Sequence, residues 1–103
     1  MGTRVTVGTL ADFPEGRGVA VKAGGRALAI FHVGDRILAI DDFCPHQRFP
    51  LWDGIVAGMV VTCRTHGSRF NLESGAVQRG PARKGIRSYP VHIVGDTVEV
   101  ELD

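Results

Sequence analysis

The sequence predicts an all-β protein, an antiparallel sandwich or barrel folded as one domain. Short runs of alternating polar and apolar residues recur at intervals of about 8–12 residues, the spacing of such folds. Turn-forming dipeptides, Gly24-Gly25, Gly34-Asp35 and Gly95-Asp96, separate several of these runs. No stretch sustains a helical period. At 103 residues there is room for a single domain. A composition of 44% hydrophobic and 22% charged residues is that of an ordinary globular chain. No apolar run approaches the ~20 residues that a membrane-spanning helix needs, so no membrane role is expected.

Residues 4–7 alternate and read as a first strand, followed by a turn-rich connector over 12–16. Residues 18–23 form a second strand, and Gly24-Gly25 turns it into a third over 26–33. In that third strand Ala27, Ala29, Phe31 and Val33 share one face, with Leu28, Ile30 and His32 on the other. Both faces are largely apolar, which predicts a strand buried on both sides. A fourth strand over 36–41 runs into a region of different character. Residues 42–85 are rich in Gly, Pro and Arg, with only short strand-like runs, 59–63 and 68–72 among them. A turn is expected at Glu73-Ser74-Gly75, and Gly80-Pro81-Ala82 forms a further loop. Alternation then returns: 88–94 and 97–102 predict a closing hairpin with Val98, Val100 and Leu102 inward and Glu99 and Glu101 outward. The expected organisation is one domain over 1–103, a β framework of 1–41 and 86–103 carrying a small subdomain over about 42–85. His32 and His92 fall inside strands and are expected to be structural.

The chemistry concentrates in that middle region. Cys44-Pro45-His46 and Cys63-Arg64-Thr65-His66 each pair a thiol with an imidazole, and they hold both cysteines and half of the four histidines. Thiolate and imidazole together suit iron or zinc. Zinc sites usually carry C-x2-4-C and H-x3-5-H pairs, whereas here each half supplies one of each. A Cys2His2 zinc module for protein contacts, and four unrelated buried residues, stay open as alternatives on these residues alone.

The two pieces resemble the ligand loops of Rieske iron–sulfur proteins, C-x-H and C-x-x-H. The likeness extends through His66-Gly67, Arg69-Phe70-Asn71-Leu72, Ser74-Gly75, Gly80-Pro81-Ala82 and Ser88-Tyr89-Pro90-Val91, and covers about 18–100. It implies an antiparallel β fold of Rieske type with a small cluster-binding subdomain. It also implies one [2Fe–2S] cluster, with Cys44 and Cys63 on one iron and His46 and His66 on the other. With neutral imidazoles the oxidised cluster carries no net charge, so it accepts an electron more readily than an all-cysteine cluster. Gly67, Ser68 and Pro81 would lie around it. Ser68 matches a serine that donates to a bridging sulfide in the high-potential branch, or it caps a local turn. Phe70 stands where that branch has a donating tyrosine, so one potential-raising bond is missing. Phe49 and Thr65 stand where the respiratory proteins have a second, disulfide-linked cysteine pair. The resemblance therefore points to the soluble ferredoxins of multicomponent oxygenases or, alternatively, to the small subunit of assimilatory nitrite reductase.

That resemblance implies an electron carrier, not a catalyst. A flavin-dependent reductase would be its donor, and a terminal oxygenase or nitrite reductase its acceptor. Net charge is only +1, but segment 44–87 has seven basic and two acidic residues, a net of +5. Segment 88–103 has four acidic residues and no lysine or arginine. Arg48, Arg64, Arg83 and Lys84 are therefore candidates for docking an acidic partner. Arg48 also stands where related ferredoxins often have glycine, which suggests a different partner surface or a reshaped loop. Near-neutral charge and no nucleic-acid motif argue against nucleic acid. No apolar leader opens the chain and a metal would occupy both cysteines, so a reducing cytoplasm is the expected setting.

Overall fold

The computed structural model describes residues 2–45 and 49–102. Among these, strands dominate and there is no α-helix. In chain order they are β1 (Thr3–Thr9), β2 (Gly18–Ala23), β3 (Arg26–Val33), β4 (Arg36–Asp41), β5 (Ile55–Ala57), β6 (Val60–Thr62), β7 (Arg69–Asn71), β8 (Val77–Arg79), β9 (Ser88–Tyr89), β10 (Val91–Val94) and β11 (Thr97–Leu102). They form three antiparallel sheets ordered β1-β11-β10, β2-β3-β4-β9 and β5-β6-β7-β8.

The second sheet is the middle layer, because both of its faces are apolar. Ala29, Phe31, Leu38 and Ile40 face one core, shared with Cys44, Cys63, Val61 and Phe70. Leu28, Ile30, Ile37 and Ala39 face the other, shared with Phe13, Val98, Val100 and Leu102. Strand β3 thus buries alternate residues against two different partners, as its two apolar faces predict. Leu28, Ile30 and Phe31 are fully buried, each worth about 1.5–3 kcal/mol of transfer from water.

The strands expected over 18–23, 26–33 and 36–41 form with those bounds. Strand β1 runs longer than expected, since a bulge between Thr6 and Gly8 lets pairing with β11 continue to Thr9. The run 88–94 is not one strand. Pro90 has no N–H to give a ladder, and the chain changes sheets there: Ser88 and Tyr89 pair with β4, whereas Val91–Val94 pair with β11. His32 Nδ1 lies 2.8 Å from the Phe13 carbonyl and so must donate to it. His92 Nε2 lies 2.9 Å from Glu101 Oε1. Among the described residues no helix is long and apolar enough to cross a membrane.

Candidate metal centre

Each cysteine sits just beyond the end of a strand. Cys44 follows β4 by three residues, and Cys63 directly follows β6. The two loops close by the same device. The Cys44 amide donates to the Phe49 carbonyl at 2.7 Å, and the Cys63 amide donates to the Ser68 carbonyl at 2.8 Å, in both cases five residues on. In the second loop the Gly67 amide returns to the Cys63 carbonyl at 3.0 Å. Gly67 has φ +80, a left-handed conformation that suits glycine.

Both thiols are free and 2% exposed, and both belong to one apolar core. His66 is exposed, its ring centroid 6.0 Å from that of Phe49 at an interplanar angle of 60°. The site therefore grades from buried sulfur to solvent-facing imidazole. His46 and Arg48 lie outside the described residues. The described donors are two buried thiols, one from each loop, and the exposed imidazole of the second loop. Iron and zinc both accept such donors, and this mixed sulfur and nitrogen chemistry suits a [2Fe–2S] group.

Ser68 is the one buried polar residue among those described, at 0% exposure. Its Oγ accepts the Ala82 amide at 3.0 Å, which ties the second loop to the Gly80-Pro81-Ala82 loop. A hydroxyl that accepts one amide also carries a proton it can donate. Pro81 is exposed after a cis Gly80–Pro81 bond, while Ala82 beside it is buried. Arg83 and Lys84 are exposed and line a shallow groove with Pro45 and Pro81, alongside the first loop. Arg64 is exposed too, but its Nε donates to the Asp53 carbonyl.

Asp42 had no place in the sequence reading. Its Oδ1 accepts the Leu51 amide at 2.9 Å and the Trp52 amide at 2.8 Å. Burial pushes its carboxyl above the usual range, and the charge of Asp53 adds to that; the two amides pull it down. An Asx residue before a loop is a general signal for such bonds, but partners nine and ten residues on are invisible to local spacing.

Comparison with known proteins now bears on this geometry. Residues 3–90 match the Rieske [2Fe-2S] domain family. A ferredoxin component of the naphthalene 1,2-dioxygenase/salicylate 5-hydroxylase systems of Ralstonia sp is 34% identical over 94 residues, covering 91% of this chain and 90% of its own. The ferredoxin of carbazole 1,9a-dioxygenase from Nocardioides aromaticivorans IC177 superposes with a TM-score of 0.93 at 27% identity, covering 98% of this chain and 99% of its own. A putative NADH-dependent nitrite reductase small subunit from Mycobacterium tuberculosis shares the fold, with a TM-score of 0.91 at 21% identity over 100% of this chain and 97% of its own. The chain belongs to the Rieske [2Fe-2S] family. Its resident group is one Rieske-type [2Fe–2S] cluster, and the zinc module falls away.

Proposed function

We infer that this chain is a one-electron carrier, the ferredoxin of a multicomponent oxygenase system. It takes electrons from a flavin-dependent reductase and hands them to a terminal oxygenase. Relatives named as ferredoxin components of dioxygenase systems, matched over about nine-tenths of both chains, support this reading. The observation that carries it is the burial gradient: Cys44 and Cys63 at 2% exposure, with His66 at the surface. Cys44 and Cys63 hold one iron, and His46 and His66 hold the other. The cluster supplies one-electron storage when bound. The apolar core around the two sulfurs excludes water from that end. His66 would present its ring edge for transfer, and the Ser68 hydroxyl would offer a hydrogen-bond donor to the bound group. Arg83 and Lys84 dock the partner, with Arg48 and Arg64 completing the basic end. Residues 42–85 act as the cluster-binding subdomain of a single domain whose framework is 1–41 and 86–103, and the working compartment is the cytoplasm.

The experiment is the visible and electron paramagnetic resonance spectrum of freshly purified, dithionite-reduced protein. A rhombic signal of mixed Cys/His ligation with two irons per chain is expected, lost in Cys44→Ser and in His66→Ala. A colourless protein, or a signal indifferent to those changes, overturns the reading. The full-length fold match to a nitrite reductase small subunit favours one other reading, a permanent subunit of such a reductase. Purification alone from the native cell argues for the carrier, and stable co-purification with a large haem- or flavin-bearing chain for the subunit.

A further inference from the structure

Two loops that grip one group must be held at a fixed separation, and the turn over residues 51–54 is hydrogen-bonded to a residue beside each of them. The Gly54 amide closes that turn on the Leu51 carbonyl at 2.9 Å. From one side the Asp42 carboxylate accepts both the Leu51 and the Trp52 amides. Asp42 is itself fastened to the middle sheet, since its amide donates to the Ala27 carbonyl at 3.0 Å. From the other side Arg64, next to Cys63, donates through Nε to the Asp53 carbonyl. The turn is also seated firmly. Leu51 is fully buried in the core that holds both cysteines. The Trp52 carbonyl packs so close to Gly18 that a Cβ there would collide with it.

We propose that Asp42 and Arg64 are positioning residues of the metal centre, bracing the 51–54 turn from opposite sides and thereby setting the separation of the Cys44 and Cys63 loops. The proposal rests on the reading of those loops as cluster ligands. It assigns Arg64 a role within the protein besides any contact with a partner. What Asp42 supplies is an acceptor for two amides, and asparagine can supply the same oxygen. What Arg64 supplies is the Nε–H, which lysine lacks although it keeps the charge.

The test uses the cluster-loaded protein and two readouts. One is the rate of cluster loss to a chelator, followed by visible absorbance. The other is amide hydrogen exchange across residues 51–54 by mass spectrometry, with the fluorescence of Trp52, the only tryptophan, as a local reporter. Asp42→Ala should lose its cluster about tenfold faster and expose both amides, because each then lacks its acceptor. Asp42→Asn should match wild type in both. Arg64→Ala and Arg64→Lys should both lose the cluster several-fold faster. Wild-type rates in Asp42→Ala overturn the proposal, and so does Asp42→Asn as impaired as Asp42→Ala. If Asp42→Ala does not fold, the Arg64 pair decides: wild-type retention in Arg64→Lys overturns the brace. A wild-type chain without iron defeats the cluster reading itself. A wild-type cluster beside unprotected 51–54 amides defeats the brace alone.

Discussion

Tyr89 is the chain's only tyrosine, and its hydroxyl lies where opposite charges meet. The O–H donates to Asp41 Oδ1 at 2.6 Å, and Arg26 Nη1 donates to the same oxygen of Tyr89 at 3.1 Å. Arg26 and Arg87 lie over its ring at 5.7 and 5.3 Å. Burial, together with the bond to Asp41, raises the phenol above its ordinary value of 10.0, against a smaller opposing pull from Arg26. The folded state therefore holds the phenolic proton more tightly than the unfolded chain. The stability this contributes is complete below pH 10 and falls as pH rises through the folded value. Tyr89→Phe should cost about 1 kcal/mol near neutrality, a hydrogen bond to a charged acceptor discounted for partial solvation. The gap to wild type should narrow above pH 10. Denaturant melts of both proteins across pH 7–11 check this, and tyrosinate absorbance reports Tyr89 alone. A gap that stays constant across that range contradicts the assignment. At this scale the sequence is readable where chemistry is local. Spacing together with the family resemblance groups Cys44, His46, Cys63 and His66, and of these Cys44 and Cys63 share one core. Asp42 is unreadable because its carboxylate acts on amides that only the folded loop brings near.

Between elements, the tightest constraint is the packing of the 71–76 turn on the loop that follows Pro81. Asn71 Oδ1 accepts the Glu73 and Ser74 amides at 2.9 and 3.0 Å, and the Gly75 amide donates to the Asn71 carbonyl at 2.7 Å. Gly75 then turns through φ +78, and its carbonyl accepts the Ile86 amide at 2.9 Å. A Cβ at Gly75 would collide with the Ile86 carbonyl. Gly75→Ala therefore meets both a left-handed backbone and a backbone clash. It should destabilise the fold by about 2–4 kcal/mol, read as a lower denaturant midpoint. The displaced segment includes the Ala82 amide that Ser68 receives, so the cluster should also become easier to remove. A midpoint within about 0.5 kcal/mol of wild type, the scale of an ordinary surface change, contradicts this account. The same scale shows which elements sequence pattern can reveal. Strands β2 to β4 are six to eight residues long, and β3 and β4 read as continuous apolar runs bounded by turn residues. Strands β5 and β8 have three residues each, too few to establish any period. Pro90 cannot serve a central ladder, yet the alternation on either side of it reads as continuous, so the sequence reads as one strand over 88–94.

Across the whole molecule, charge is sorted by sheet. The third sheet and the loops around the cysteines draw on a segment of net +5, whereas the β10–β11 hairpin belongs to a segment with four carboxylates and no lysine or arginine. Two of those carboxylates are occupied: Arg4 lies 3.7 Å from Glu99, and Glu101 faces His92. By contrast, no ion pair of Arg83 or Lys84 occurs among the described residues. A net charge of +1 thus understates the field at the cluster end. Screening acts over about 10 Å at 0.1 M salt, shorter than the 38 Å long axis of the molecule. A small reactant at the His66 edge should therefore respond to the local charge more than to the total. Oxidation of the reduced protein by the ferricyanide trianion should slow as ionic strength rises. Oxidation by a cobalt tris-phenanthroline trication should quicken over the same range. In the double variant Arg83→Glu with Lys84→Glu both trends should weaken or reverse, while the visible spectrum stays unchanged because neither side chain reaches the cysteine core. Stopped-flow rates at several salt concentrations settle the matter without the physiological partner. Opposite salt dependences for the two oxidants place the exit route at the basic end. Salt dependences of one sign, or a double variant indistinguishable from wild type, would place it elsewhere and detach Arg83 and Lys84 from docking.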